Sequence, residues 1–203
     1  VWVVRSSAPK EDAAGASFAG LHESIVGVRG ETALFQAILT VWSSLWSDAA
    51  LLYQQELALD PMQSAMAVVV QRLVEDTPSG VAFGCDPRNP AADRMIIEAV
   101  PGLCKDLVDG TLDPDRWVVE ASTGVVLDVQ TGRREGTDPE SPLLDDTDIA
   151  NIQTRLGQLK HEFGWPPDTE WTGPADRFTL LQVRPITTLK DENEDEKAYY
   201  LTL

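Results

Sequence analysis

Arg5, Gln71, Glu170, Gln182 and Arg184 are polar residues set at the ends or within apolar stretches of strand length. Arg5 closes the run Val1-Trp2-Val3-Val4 and opens a loop of small residues, Ser6, Ser7 and Ala8, with Gly15 and Gly20 beyond. Small side chains let backbone N–H groups approach an anion, and a guanidinium fork matches phosphate oxygens. The alternative is a surface arginine in an ordinary loop. In Phe178-Thr179-Leu180-Leu181-Gln182-Val183-Arg184, alternation puts Gln182 and Arg184 on one face of a strand. Glu170, on the preceding strand, belongs to the same cleft in this reading. A carboxylate beside an amide oxygen offers hard ligands to Mg²⁺, with Arg184 covering phosphate charge. A structural Glu170–Arg184 ion pair explains the same spacing equally well. Gln71 ends the strand Ala67-Val68-Val69-Val70, whose edge could read adenine through backbone groups.

These residues need strands to carry them, and the hydrophobic periodicity supplies strands and helices together. Leu34, Phe35, Ile38, Leu39, Trp42, Leu45 and Trp46 recur at helical spacing over 31–47, and a second helix runs to about Leu59 before Asp60-Pro61. Apolar stretches at 65–74, 80–84 and 94–100 read as strands, followed by a short helix between Gly102 and Gly110. Residues 116–121 and 124–130 read as a hairpin, and Ile149, Ile152, Leu156, Leu159 and Phe163 mark a helix over 147–163. Two short strands around Gly173-Pro174 close the ordered part. The pattern predicts an α+β (mixed α/β) fold with a mainly antiparallel sheet and packed helices.

With 33 acidic against 16 basic residues, the net charge of −17 argues against nucleic acid, which is bound by neutralising phosphates. No apolar run is long enough to cross a bilayer. The acids of 135–148 and 191–196 read as a solvated loop and tail. Cys85 and Cys104 are too far apart for a CxxC site and read as buried thiols of a reducing cytoplasm. No Walker-type or G-x-G-x-x-G phosphate loop is present.

Four segments in order carry a resemblance: VVRSSAPKEDAAGASFAGLHES, MAVVVQRLVEDTPSGVAFGCDP, EAVPGLCKDLVDGTLDPDRWVV and TEWTGPADRFTLLQVRPITTL. Together they resemble the ATP-binding domain of phosphoenolpyruvate synthase, pyruvate phosphate dikinase and rifampicin phosphotransferase. The likeness covers 1–189, with 190–203 as an acidic linker or tail. It implies an ATP-grasp-like fold in which ATP and Mg²⁺ are bound. It assigns Arg5 to ATP phosphate and Gly20 to a loop over the phosphates, with Ser24 and Ile25 following. It assigns Gln71 to the adenine pocket, Glu170 and Gln182 to Mg²⁺, and Arg184 to the phosphates.

The family also implies an upstream lobe with a phosphate-binding lysine, which this domain would lack, and downstream domains bearing a phosphorylatable histidine and the acceptor site. The implied activity is phosphoryl transfer to that histidine and then to an acceptor such as pyruvate. An antibiotic phosphotransferase and a non-catalytic nucleotide-binding module are the alternatives. Gly20-Leu21-His22-Glu23-Ser24, Gly84-Cys85 and Gly102-Leu103-Cys104-Lys105 depart from the common family pattern, and none of them removes a residue assigned to phosphate or metal.

Overall fold

A computed structural model describes residues 1–186 apart from 9–11, 14–15, 18–21, 57, 59, 75–76 and 134–140. Gly20, much of the acidic stretch 135–148 and the tail 190–203 therefore lie outside the described residues. The described residues of Val1–Val74 form one compact unit and those of Glu75–Asp191 a second.

The first unit is built on a three-stranded sheet of β1 (Trp2–Ser7), β4 (Ser24–Val28) and β5 (Ala67–Arg72), in the order β4-β1-β5, with β1 antiparallel to both neighbours. The short strands β2 (Asp12–Ala13) and β3 (Ala16–Ser17) form a separate ladder. Alternation sends Val4 to one face, where it is fully buried beneath α1 (Glu31–Ser43) with Val28, Ala37 and Val41. Ile25, Leu34, Ile38, Met66 and Val68 pack around this cluster.

The apolar set read as one helix face divides in two. Leu34 and Ile38 join the core, while Phe35, Leu39 and Trp42 are exposed. The helix stops at Ser43 and tightens into a 3₁₀ turn, Ser44–Trp46, before α2 (Asp48–Glu56). Buried Gln54 of α2 donates to the Leu45 carbonyl at 3.1 Å and accepts from Ser64 Oγ at 2.7 Å, so its amide is satisfied.

The second unit is a six-stranded sheet in the order β11-β10-β6-β7-β8-β9, every pairing antiparallel. Its strands are β6 (Ser79–Phe83), β7 (Arg94–Val100), β8 (Asp115–Glu120), β9 (Val126–Gln130), β10 (Pro167–Thr172) and β11 (Thr179–Pro185). Among the described residues the short α3 (Cys104–Val108) and the long α4 (Asp146–Phe163) accompany it, so the unit is α+β as its pattern predicts.

One sheet face presents Ala82, Met95, Ile97, Ala99, Trp117, Val119 and Trp171 to Ile149, Ile152 and Leu156 of α4. Burial of these large side chains is the main stabilising term, each contributing roughly 1.5–3 kcal/mol. Gly80 is obligatory in this layer, because a Cβ there would overlap the Glu98 carbonyl oxygen and the Trp171 ring.

The acidic stretch ahead of α4 is more than a solvated loop. Asp145 is the helix N-cap, accepting from the backbone N–H groups of Thr147 and Asp148, and Asp148 reaches back to Asp145 N. Asp148 also accepts from Ala175 N at 2.7 Å, tying the helix start to the turn between β10 and β11. Gly164, at φ 78°, ends the helix in the left-handed conformation that glycine adopts most cheaply. Cys85 and Cys104 are both buried thiols outside any disulfide, and Cys104 Sγ donates to the Gly80 carbonyl at 3.3 Å.

Candidate nucleotide-binding site

In the first unit, Arg5 faces away from Val4 and therefore away from the α1 core. Its cross-strand partners are Ser24 on β4 and Val69 on β5, while Gln71 pairs with Val3. Directly paired residues share a face, so Arg5, Ser24 and Gln71 stand together on the side opposite α1. Ile25 is not with them. It pairs with Val4 and packs on the buried cluster under α1, which is a core position. The β1 sequence explains the split, because Val-Val-Arg alternates one buried aliphatic with two outward residues.

In the second unit, Glu170 pairs directly with Gln182 on β11, and Asp168 pairs with Arg184. All four share the face opposite α4, since Trp171, one residue on from Glu170, is fully buried among the α4 contacts. Arg184 pairs with Asp168, its Nε donating to Oδ2 at 2.8 Å. Asp168 lies just ahead of the Thr169–Thr172 motif and carries no assignment from the resemblance. The signal was available in the same alternation, since Asp168 precedes Glu170 by two residues.

Asp168 is buried, and that burial pushes its carboxyl above the usual aspartate range against the pull of the Arg184 guanidinium and its hydrogen bond. The folded state thus holds the proton more tightly than the unfolded chain does. The stability linked to this group is fully present below the ordinary aspartate value and is lost as pH rises through the folded value. Asp168→Asn, which cannot ionise, should accordingly lose less melting temperature than the parent as pH rises above the ordinary aspartate range. Parallel thermal melts check this, and superimposable pH profiles would contradict it.

The face continues past β10. Val81 and Phe83 of β6 pair with Glu170 and Asp168, Glu98 of β7 pairs with Val81, and Arg116 of β8 pairs with Glu98. A half-buried polar row therefore crosses the sheet, with Glu98 and Arg116 as members not singled out from sequence. No signal local to either strand distinguishes them from ordinary outward residues. Among the described residues no group of three or more His, Cys, Asp or Glu is gathered for a metal.

The family model for the pyruvate phosphate dikinase AMP/ATP-binding domain matches residues 1–201. The chain belongs to this family. It is 30% identical to a phosphoenolpyruvate synthase of Aeropyrum pernix over 96% of this chain and 29% of that protein. It is 31% identical to a probable phosphoenolpyruvate synthase of Methanocaldococcus jannaschii, covering 96% of this chain and 18% of the relative. A rifampicin phosphotransferase of Bacillus subtilis is 32% identical over 100% of this chain and 25% of its own length. This dikinase-family chain thus spans less than a third of the length of each of these relatives. Within the family assignment, its two outward polar faces are the candidate ligand surfaces. Among the described residues no helix is long and apolar enough to cross a membrane.

Proposed function

We propose that the chain is the Mg·ATP-binding part of an ATP-grasp phosphotransferase of the phosphoenolpyruvate synthase type, and that 1–189 act as one nucleotide-binding domain. In this reading the phosphoryl group passes to a histidine on a separate domain and then to an acceptor such as pyruvate. The carrying observation is the cross-strand block Asp168, Glu170, Gln182 and Arg184 on a sheet face opposite the packed helix.

A carboxylate and an amide oxygen on directly paired residues, their Cβ atoms about 5 Å apart, fit the hard oxygen ligands magnesium prefers. Bound there, magnesium would offset negative charge on the phosphates. Arg184, oriented through Nε by Asp168, donates to phosphate oxygens. Arg5, Ser24 and Gly20 hold phosphate in the first unit, and Gln71 lines the adenine side. The chain's work is positioning and charge neutralisation, with no covalent intermediate on its own residues.

Calorimetric titration of the chain with ATP tests this reading. Binding should require Mg²⁺, and Glu170→Gln should weaken it and be partly rescued by excess metal, because a ligand is weakened and the phosphate clamp is kept. ATP binding that is indifferent to metal removal and to Glu170→Gln would defeat the assignment.

A further inference from the structure

Gln182, Glu170, Val81, Glu98 and Arg116 occupy one register level across β11, β10, β6, β7 and β8. Neighbouring strands lie about 4.8 Å apart, so Arg116 stands roughly 14 Å along the sheet from Glu170. Both side chains are long and issue from the same face, so their heads can converge on the span of a phosphate group.

The guanidinium of Arg116 is poorly served within the fold. Its contact is with Glu98, Nε to Oε1 at 3.5 Å, beyond a good hydrogen bond. That Nε is shut off from water and has no hydrogen-bond partner. Each side chain of the pair is about a quarter exposed, 27% in both cases, so the pair itself adds little stability. A guanidinium held in place by one carboxylate, on the face that carries Glu170 and Gln182, is arranged to meet the far end of an anion anchored there.

We propose that Arg116, positioned by Glu98, contacts the terminal phosphate of the bound nucleoside triphosphate and so separates triphosphate from diphosphate. The proposal rests on the reading that the Glu170–Gln182 face binds Mg·ATP. Val81 between them suits the role, since a half-buried aliphatic floor competes for neither the phosphate oxygens nor the guanidinium.

The test is titration of the chain and its variants with Mg·ATP and Mg·ADP, with thermal melts alongside. A charge-assisted hydrogen bond to phosphate predicts that Arg116→Gln weakens ATP roughly tenfold and leaves ADP nearly unchanged. Arg116→Lys should recover part of the preference. Glu98→Gln removes the carboxylate that positions Arg116, so it should weaken ATP in the same direction as Arg116→Gln and leave ADP nearly unchanged. If Arg116→Gln does not fold, Glu98→Gln carries the test, and unchanged ATP affinity there overturns the proposal.

An unaltered ATP:ADP ratio in Arg116→Gln, with ATP binding still weakened by Glu170→Gln, overturns the role of Arg116 alone. ATP affinity unmoved by Glu170→Gln removes the underlying nucleotide reading and the proposal with it. A fall in melting temperature without any change in the ratio shows a purely structural pair, which also overturns it.

Discussion

On the proposed Mg·ATP reading, replacing Arg184 by lysine is expected to slow ATP-dependent phosphoryl transfer by the full-length protein about a hundredfold, or roughly 3 kcal/mol, with little loss of melting temperature. Arg184 holds Asp168 through Nε at 2.8 Å, which fixes the plane of the guanidinium on the polar face of the sheet. A lysine keeps the positive charge beside the buried Asp168 carboxylate. It cannot hold that carboxylate and present a planar pair of donors to phosphate at the same time.

Arg184→Ala separates the two effects. It leaves Asp168 buried without its counter-charge, which should destabilise the second unit as well as abolish transfer. Melting temperature and single-turnover rate, measured together, decide the matter. A lysine variant that melts as early as the alanine variant yet transfers phosphate normally would show that Arg184 is only half of a structural pair.

Asp115→Ala is expected to destabilise the fold by about 3–5 kcal/mol, read as the shift in urea or thermal midpoint. Asp115 is 1% exposed at the start of β8, and its two oxygens accept from the backbone N–H groups of Gly132 at 2.8 Å and Leu143 at 2.7 Å. Hydrogen bonds to a charged acceptor contribute about 1.5–3 kcal/mol each, and truncation leaves the buried Gly132 amide without its acceptor. A loss of this size is a large fraction of a domain's whole stability. Gly132 belongs to the same arrangement, because a Cβ there would overlap the Asp113 carbonyl oxygen. Asp115→Asn keeps one acceptor oxygen and should fall between the parent and Asp115→Ala. A midpoint within experimental error of the parent for Asp115→Ala would show that the two amides find other partners.

Local pattern was enough for several elements, though not for β4 (Ser24–Val28) or for the break after Ser43. Strand β7 appears over 94–100 as its apolar run dictates, and α4 follows the Ile149, Ile152, Leu156 spacing to its Gly164 stop. Ordered motifs were enough for the family, because each combines several residue types at fixed spacing, and the match over 1–201 agrees with them. Alternation within a single strand also placed Gln182 and Arg184 on one face, since that period is a property of the extended backbone.

What needed tertiary structure is every relation between strands. Register sets Asp168 opposite Arg184 and Glu170 opposite Gln182, and a slip of one residue would send either carboxylate into the α4 core. The same cause moved Ile25 to the core beside Val4 while Ser24 came to lie opposite Arg5. Glu98 and Arg116 reach the level of Glu170 only because β6 lies between β10 and β7, bringing together residues far apart in the chain. Asp115 is the plainest case. An acid at the first position of a strand carries no local sign of burial, and only the folded chain brings the Gly132 and Leu143 amides to it and offsets the cost of burying it.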